Sequence, residues 1–182
     1  MRILVGLLLL IGVLSVNAQQ RYMSKSAFIK FYSNTPLEKI EAVNNSGACV
    51  LDIGTGNVEL SLLNTAFQFK KALMQQHFNE NYMESPKFPK SKFKGRITDL
   101  SKIDFNKAGT YKAEVVGDLT MHGVTQSLTL PANIRIDAGG VIAGEVRFTV
   151  KPEDYNIEIP SLVKDNIAKE IEVTVKSDLK KM

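Results

Sequence analysis

Two runs of strict alternation flank a single turn, and they commit this part of the chain to antiparallel sheet. Tyr111, Ala113, Val115, Gly117, Leu119 and Met121 share one parity, while Lys112, Glu114, Asp118 and Thr120 take the other, with Val116 as the exception. Leu128, Leu130, Ala132, Ile134 and Ile136 then alternate with Thr129, Asn133, Arg135 and Asp137. A period of two places the apolar residues of a strand on one face, so both runs read as half-buried strands. His122-Gly123 falls where the chain must reverse. Glycine takes a positive φ at little cost and histidine tolerates it better than most residues, so the pair can form a hairpin turn.

The rest of the chain extends the pattern. Ser26 to Tyr32 reads as a strand, and Ile40–Val43 with Ala48–Ile53 reads as a hairpin joined by Asn44-Asn45-Ser46-Gly47. Val58, Leu60 and Leu62 mark another strand after a turn at Gly54-Thr55-Gly56-Asn57. From Asn64 to Met83 the period changes: Phe67, Met74, Phe78 and Tyr82 fall near helical spacing, which predicts one helix stopped by Ser85-Pro86. Strands resume at Lys92–Leu100, Val141–Lys151 and Ile167–Ser177. About nine or ten strands with one helix suit a closed antiparallel barrel or a sandwich. Closure has the physical advantage of removing unpaired strand edges, and a barrel of about eight strands is either filled by side chains or holds one small ligand. Alternation does not choose between those interiors.

At the N-terminus, Arg2 precedes an apolar run from Ile3 to Val16 and then Asn17-Ala18. The run is shorter than the roughly 20 residues of a bilayer span, and it predicts a signal peptide over residues 1–18, cleaved after Ala18. The expected product is exported to a periplasm, and residues 19–182 are expected to form one domain. Loss of Arg2 takes the net charge from +4 to +3, too mild for a dedicated nucleic-acid binder. The single cysteine, Cys49, lies in the apolar context Ala48-Cys49-Val50-Leu51, which suits a buried structural thiol rather than a disulfide or a nucleophile.

Chemistry is sparse. Two histidines, His77 and His122, and one cysteine make no zinc-ligand spacing, and the nucleophile-elbow, P-loop and H-E-x-x-H patterns are missing. Glu170 and Glu172 share a strand face opposite Ile171 and Val173, where solvent exposure accounts for them. His122 could donate to a ligand head group or bind a metal, or its ring could simply bond a nearby backbone group. The basic run Lys87, Lys90, Lys92, Lys94 and Arg96, interleaved with Phe88 and Phe93, reads as a solvated strand face that could also touch an anionic membrane.

The stretch from Gly117 to Leu128, Gly-Asp-Leu-Thr-Met-His-Gly-Val-Thr-Gln-Ser-Leu, resembles the G-x-L-T-L/M-H-G-V-T-x-x-L signature of the YceI-like family of polyisoprenoid-binding lipid carriers. His77-Phe78 with Met83 to Pro89 resembles the family's helix and aromatic-Pro segment, and Phe148 to Ile157 its strand ending in a charged, aromatic turn. Where the family often opens with a Trp-containing strand and a His-Ser pair, this chain reads Lys25-Ser26-Ala27-Phe28. The resemblance implies an all-β, extended, lipocalin-like antiparallel barrel with a helix packed at one end. It implies no enzyme activity and no fixed cofactor, but a bound isoprenoid, quinone-like, or other long-chain apolar lipid as partner, transient membrane contact and a homodimer. The inward parities then nominate Phe93, Ile97, Tyr111, Ala113, Val115, Leu130, Ile134, Val146, Phe148, Ile171 and Val173 as tunnel lining, Phe78 and Met83 as cover over an opening, and His122 as a further ligand contact. Small residues at Ala113, Gly117 and Ala132 hint at space inside. The competing readings are a packed envelope protein without ligand, and a hydrolase or isomerase using His122 with a carboxylate.

Overall fold

The computed structural model describes residues 20–182, so the leader expected over residues 1–18 lies outside the described residues. The strands are β1 (Arg21–Asn34), β2 (Lys39–Asp52), β3 (Asn57–Leu63), the two-residue β4 (Gln68–Phe69), β5 (Lys90–Ile97), β6 (Gly109–Met121), β7 (Val124–Ile136), β8 (Ile142–Val150) and β9 (Ile171–Lys181). Eight of them pair antiparallel in the order β1-β9-β8-β7-β6-β5-β3-β2, and β2 pairs back onto β1. That pairing closes the expected barrel and leaves no long edge.

The alternating runs around His122 form a hairpin in unbroken register from Gly109 opposite Ile136 to Met121 opposite Val124. His122 and Gly123 have φ of 50° and 76°, the two positive values of a tight turn whose twist matches the strands. Lys90, Lys92, Lys94 and Arg96 point outward from β5, while Phe93 and Ile97 are buried.

Two expected elements form differently. Residues 40–53 make no hairpin: β2 runs through Asn44–Gly47 as one strand, with register shifts against β1 at this level. Asn44 is fully buried and holds the irregularity from within. Its amide donates to the Leu63 carbonyl at 2.9 Å and its Oδ1 accepts from the Ser46 backbone N–H at 2.9 Å. The turn-forming residues bend the strand where it changes neighbour, from β4 at Ala42–Val43 to β3 at Ala48–Leu51. The helix expected over residues 64–83 shrinks to α1 (Ala72–His77), continued by a π turn (Phe78–Tyr82). Its first third is drawn off instead: Asn64–Ala66 make one 3₁₀ turn whose buried Asn64 donates to the Phe88 carbonyl at 2.7 Å, and Gln68–Phe69 pair with β2.

The register sorts the connections into two ends. The turns at 53–56 and 137–141 and the segment 98–108 lie at one end. The β1–β2 turn (35–38), the segment 64–89, the His122-Gly123 turn and the segment 151–170 gather at the other.

Candidate functional site

The barrel interior is not filled. A cavity of about 400 Å³ runs along its axis, walled almost entirely by carbon. At the inner end its walls are Leu51, Ile97, Ile134, Ile142 and Leu179, all at least nine-tenths buried. Beyond them Leu100, Ile103 and Phe105 of segment 98–108 pack against the core and stop the barrel. At the outer end the lining residues are half-buried or exposed: Met74, His77, Tyr82, Val163 and Asn166. The cavity therefore opens between α1, the β1–β2 turn and the segment 151–170.

Most of the nominated residues are in the wall. Phe93 and Ile97 of β5, Val115 of β6, Leu130 and Ile134 of β7, Val146 and Phe148 of β8, and Ile171 and Val173 of β9 all line it. Phe78 and Met83 line it at the outer end, where Phe78 joins Phe31, Phe67 and Phe69 in a cluster with ring centroids 5.1–5.6 Å apart. Three nominations are corrected. Tyr111 and Ala113 are not in the wall: both pack against the core, and the Tyr111 hydroxyl donates to the Lys107 carbonyl at 3.0 Å. His122 is not in the wall either. Its Nδ1 lies 2.9 Å from the Tyr155 carbonyl, its Nε2 lies 3.1 Å from Glu84 Oε2, and its ring meets Phe88 edge-on. A carbonyl can only accept, so Nδ1–H donates to Tyr155, and the ring pins the hairpin to segments 78–89 and 151–170.

The small residues need the same correction. A Cβ on Gly117 would lie 2.4 Å from both the Gly95 Cα and the Lys94 carbonyl, and 2.8 Å from the Phe93 ring. Gly117 and Gly95 face each other across β5 and β6 beneath that ring, so this glycine marks close approach rather than space. Ala132 does line the cavity, and the glycine that opens it is Gly144, whose Cβ would meet nothing within 4 Å.

Several wall residues were not nominated: Ile29, Phe31, Leu51, Leu60 and Leu62 from β1–β3, and Ile157, Ile159, Val163 and Ile167 from segment 151–170. The alternation of Val58, Leu60 and Leu62, and of Ile157 and Ile159 around Glu158, carried the signal for some of them.

Polar groups touch the cavity at its two ends. Inside, Cys49 and Ser177 reach it from β2 and β9. Burial pushes the Cys49 thiol up to about 11, against a smaller opposing pull from Ser177, so it stays protonated and unreactive. The Ser177 hydroxyl approaches that weak partner but makes no hydrogen bond of ordinary geometry. At the mouth, Glu38 accepts from Asn166 Nδ2 and from Lys71 Nζ, each at 3.2 Å, and both hold its carboxyl below the usual range, Asn166 most. Ser33 Oγ accepts the Ala168 N–H at 2.8 Å. The mouth is thus tied across three segments. Among the described residues no three His, Cys, Asp or Glu side chains are placed to hold a metal ion.

A closed antiparallel barrel whose axis is an apolar cavity, stopped at one end and open at the other, is a lipocalin-like barrel. Residues 24–179 match the family model of the YceI-like domain, and the chain belongs to the YceI-like family. The barrel is similar to that of a polyisoprenoid binding domain from Saccharophagus degradans implicated in plant cell wall breakdown (TM-score 0.79, 12% identity, covering 90% of this chain and 99% of that one). It is also similar to BcnA of Burkholderia cenocepacia (0.68, 15%, 85% and 96%) and to the YceI protein of Campylobacter jejuni (0.58, 13%, 78% and 84%). No curated protein sequence matches the chain.

Proposed function

We propose that the protein is an exported carrier that holds one long apolar lipid, an isoprenoid such as a quinone, with its hydrocarbon chain in the barrel and its outer end at the mouth. The cavity of about 400 Å³ carries this reading, since it falls in the ~300–1,000 Å³ range of small-molecule sites and is walled by apolar side chains. Burial of hydrocarbon contributes about 0.8 kcal/mol per CH₂, so ten buried groups give roughly 8 kcal/mol, near micromolar affinity, with no polar anchor. The Saccharophagus degradans relative, described as polyisoprenoid binding, supports the same ligand class. The reading is of a binding protein rather than an enzyme, cleaved after Ala18, working in a periplasm between membrane encounters and built as the homodimer its family resemblance implies.

Native mass spectrometry and solvent extraction of protein purified from a membrane-bearing host test it. The expected result is a co-purified long-chain lipid and uptake of ubiquinone delivered in ethanol. Finding no lipid and no uptake would refute the carrier reading.

A further inference from the structure

Three leucines stand out in water at the mouth, one on each segment that frames it. Leu162 is 95% exposed, Leu37 69% and Leu73 61%. Each immediately precedes a residue that lines the cavity, respectively Val163, Glu38 and Met74. They come from three separate stretches of chain, yet Glu38 ties those stretches together, through Lys71 beside α1 and Asn166 of segment 151–170. The leucines therefore belong to one rim rather than to three unrelated loops. Single exposed leucines are common, but an apolar group concentrated around the one opening of an apolar cavity marks a contact surface.

The charge immediately around the leucines says what that contact is. Residues 35–39, 70–77 and 161–169 carry Lys39, Lys70, Lys71, Lys164 and Lys169 against Glu38 and Asp165, while of the acids that flank these stretches Glu41 pairs with Lys30, Glu170 pairs with Lys151, Glu80 accepts from Gln76 and Glu158 lies beyond Pro160. All five lysines are exposed, and Glu38 is already engaged by Lys71 and Asn166. Leucines that can enter the headgroup boundary, ringed by lysines that face anionic headgroups, match the chemistry of an interfacial contact with an anionic bilayer. A second copy of the chain fits poorly here, because a two-fold contact through this rim would set its lysines against one another.

We propose that the mouth rim, with Leu37, Leu73 and Leu162 inserted and Lys39, Lys70, Lys164 and Lys169 over the headgroups, docks the barrel mouth-down on an anionic bilayer. In that pose the cavity opens directly onto the hydrocarbon layer, so a lipid passes between bilayer and barrel without crossing water. The purpose of the docking rests on the carrier reading; the docking itself does not.

Co-sedimentation of the full mature chain with vesicles of phosphatidylglycerol in phosphatidylcholine, and of phosphatidylcholine alone, tests the surface. Uptake of ubiquinone from ethanol tests the cavity in parallel. Binding to the anionic vesicles is expected to weaken with salt, to fall roughly fivefold for each of Lys39→Gln, Lys70→Gln and Lys164→Gln, and to fall at least tenfold for Leu162→Asp. Uptake from ethanol is expected to be unchanged in all four, since none of these side chains lines the cavity. Wild-type protein that ignores anionic vesicles, or variants that sediment as the wild type does, would overturn the docking while uptake persisted. A dimer that the rim variants dissociate, with no vesicle binding, would overturn it in favour of a second copy. Vesicle binding with neither ubiquinone uptake nor a co-purified lipid supports the docking and removes the carrier reading instead.

Discussion

Gly144 offers the sharpest test that the barrel is hollow and that its hollow is the binding site. It sits inward on β8 opposite Ser177, in the inner half of the cavity, and a Cβ placed there meets nothing within 4 Å. Gly144→Leu is expected to do two opposite things. In lipid-free protein it removes a strand glycine, worth about 0.5–1 kcal/mol, and brings new apolar atoms against Ile134 and Val146. A net gain of about 2 kcal/mol, or ~4–8 °C in Tm for a domain of this size, follows from that and from partial burial of the leucine. In the lipid complex the four added carbons displace about four ligand groups of similar size. At ~0.8 kcal/mol each this costs roughly 3 kcal/mol, or ~200-fold in Kd. Thermal unfolding of delipidated protein by circular dichroism, with titration of a fluorescent polyene lipid, measures both. A lower Tm would show that the space is occupied by the protein itself, and a raised Tm with unchanged Kd would show that the ligand does not use the inner cavity.

Gly117→Val is expected to act in the opposite sense, destabilising by about 3 kcal/mol in a denaturant titration, because its Cβ collides with Gly95 and the Lys94 carbonyl and must push β5 from β6. Tyr155 is 1% exposed and its hydroxyl has no partner, so Tyr155→Phe is expected to stabilise by about 1 kcal/mol, seen as a Tm rise of ~2–4 °C. Burial, helped by the Asp154 charge, raises the Tyr155 phenol from 10 to about 12. The neutral form is thus favoured in the fold, and that contribution is complete below about pH 10 and lost as pH climbs towards 12. The advantage of Tyr155→Phe, read from denaturation midpoints near pH 8 and pH 11, should therefore widen at the higher pH. His122→Ala loses the Tyr155 and Glu84 contacts and puts alanine at a φ of 50°, so about 2 kcal/mol of stability should go while uptake of ubiquinone from ethanol is retained.

What could be read from the chain, and what could not, follows from the range of the physics involved. Period-two alternation is local, and it marked β5, β6, β7, β8 and β9 and their inward faces well enough to put Phe93, Val115, Leu130, Val146 and Val173 in the wall. Asn44–Gly47 has the composition of a turn, and local reasoning makes it one. It is instead a bend, because the Asn44 side chain satisfies the Leu63 carbonyl, a partner 19 residues away. The same holds for residues 64–69, where helical spacing yields to a 3₁₀ turn at Asn64–Ala66 anchored on the Phe88 carbonyl and to pairing of Gln68–Phe69 with β2. Space is the least local property of all. Gly117 and Gly144 both fall on inward rows, yet one faces Gly95 at near contact and the other faces nothing, and only the closed barrel tells them apart.

His122 shows the same rule at the site. Its place in the turn was legible because a positive φ is a local demand, but its partners Glu84 and Tyr155 lie 38 and 33 residues away. With both ring nitrogens engaged by the protein, it is committed to holding the mouth segments 78–89 and 151–170 onto the β6–β7 hairpin. Those segments supply Phe78, Met83, Val163 and Ile167 to the cavity wall and Leu73 and Leu162 lie at the rim beside them. The signature around His122 therefore serves the stability of the mouth rather than contact with the ligand, by tying the segments that wall the opening to the β6–β7 hairpin.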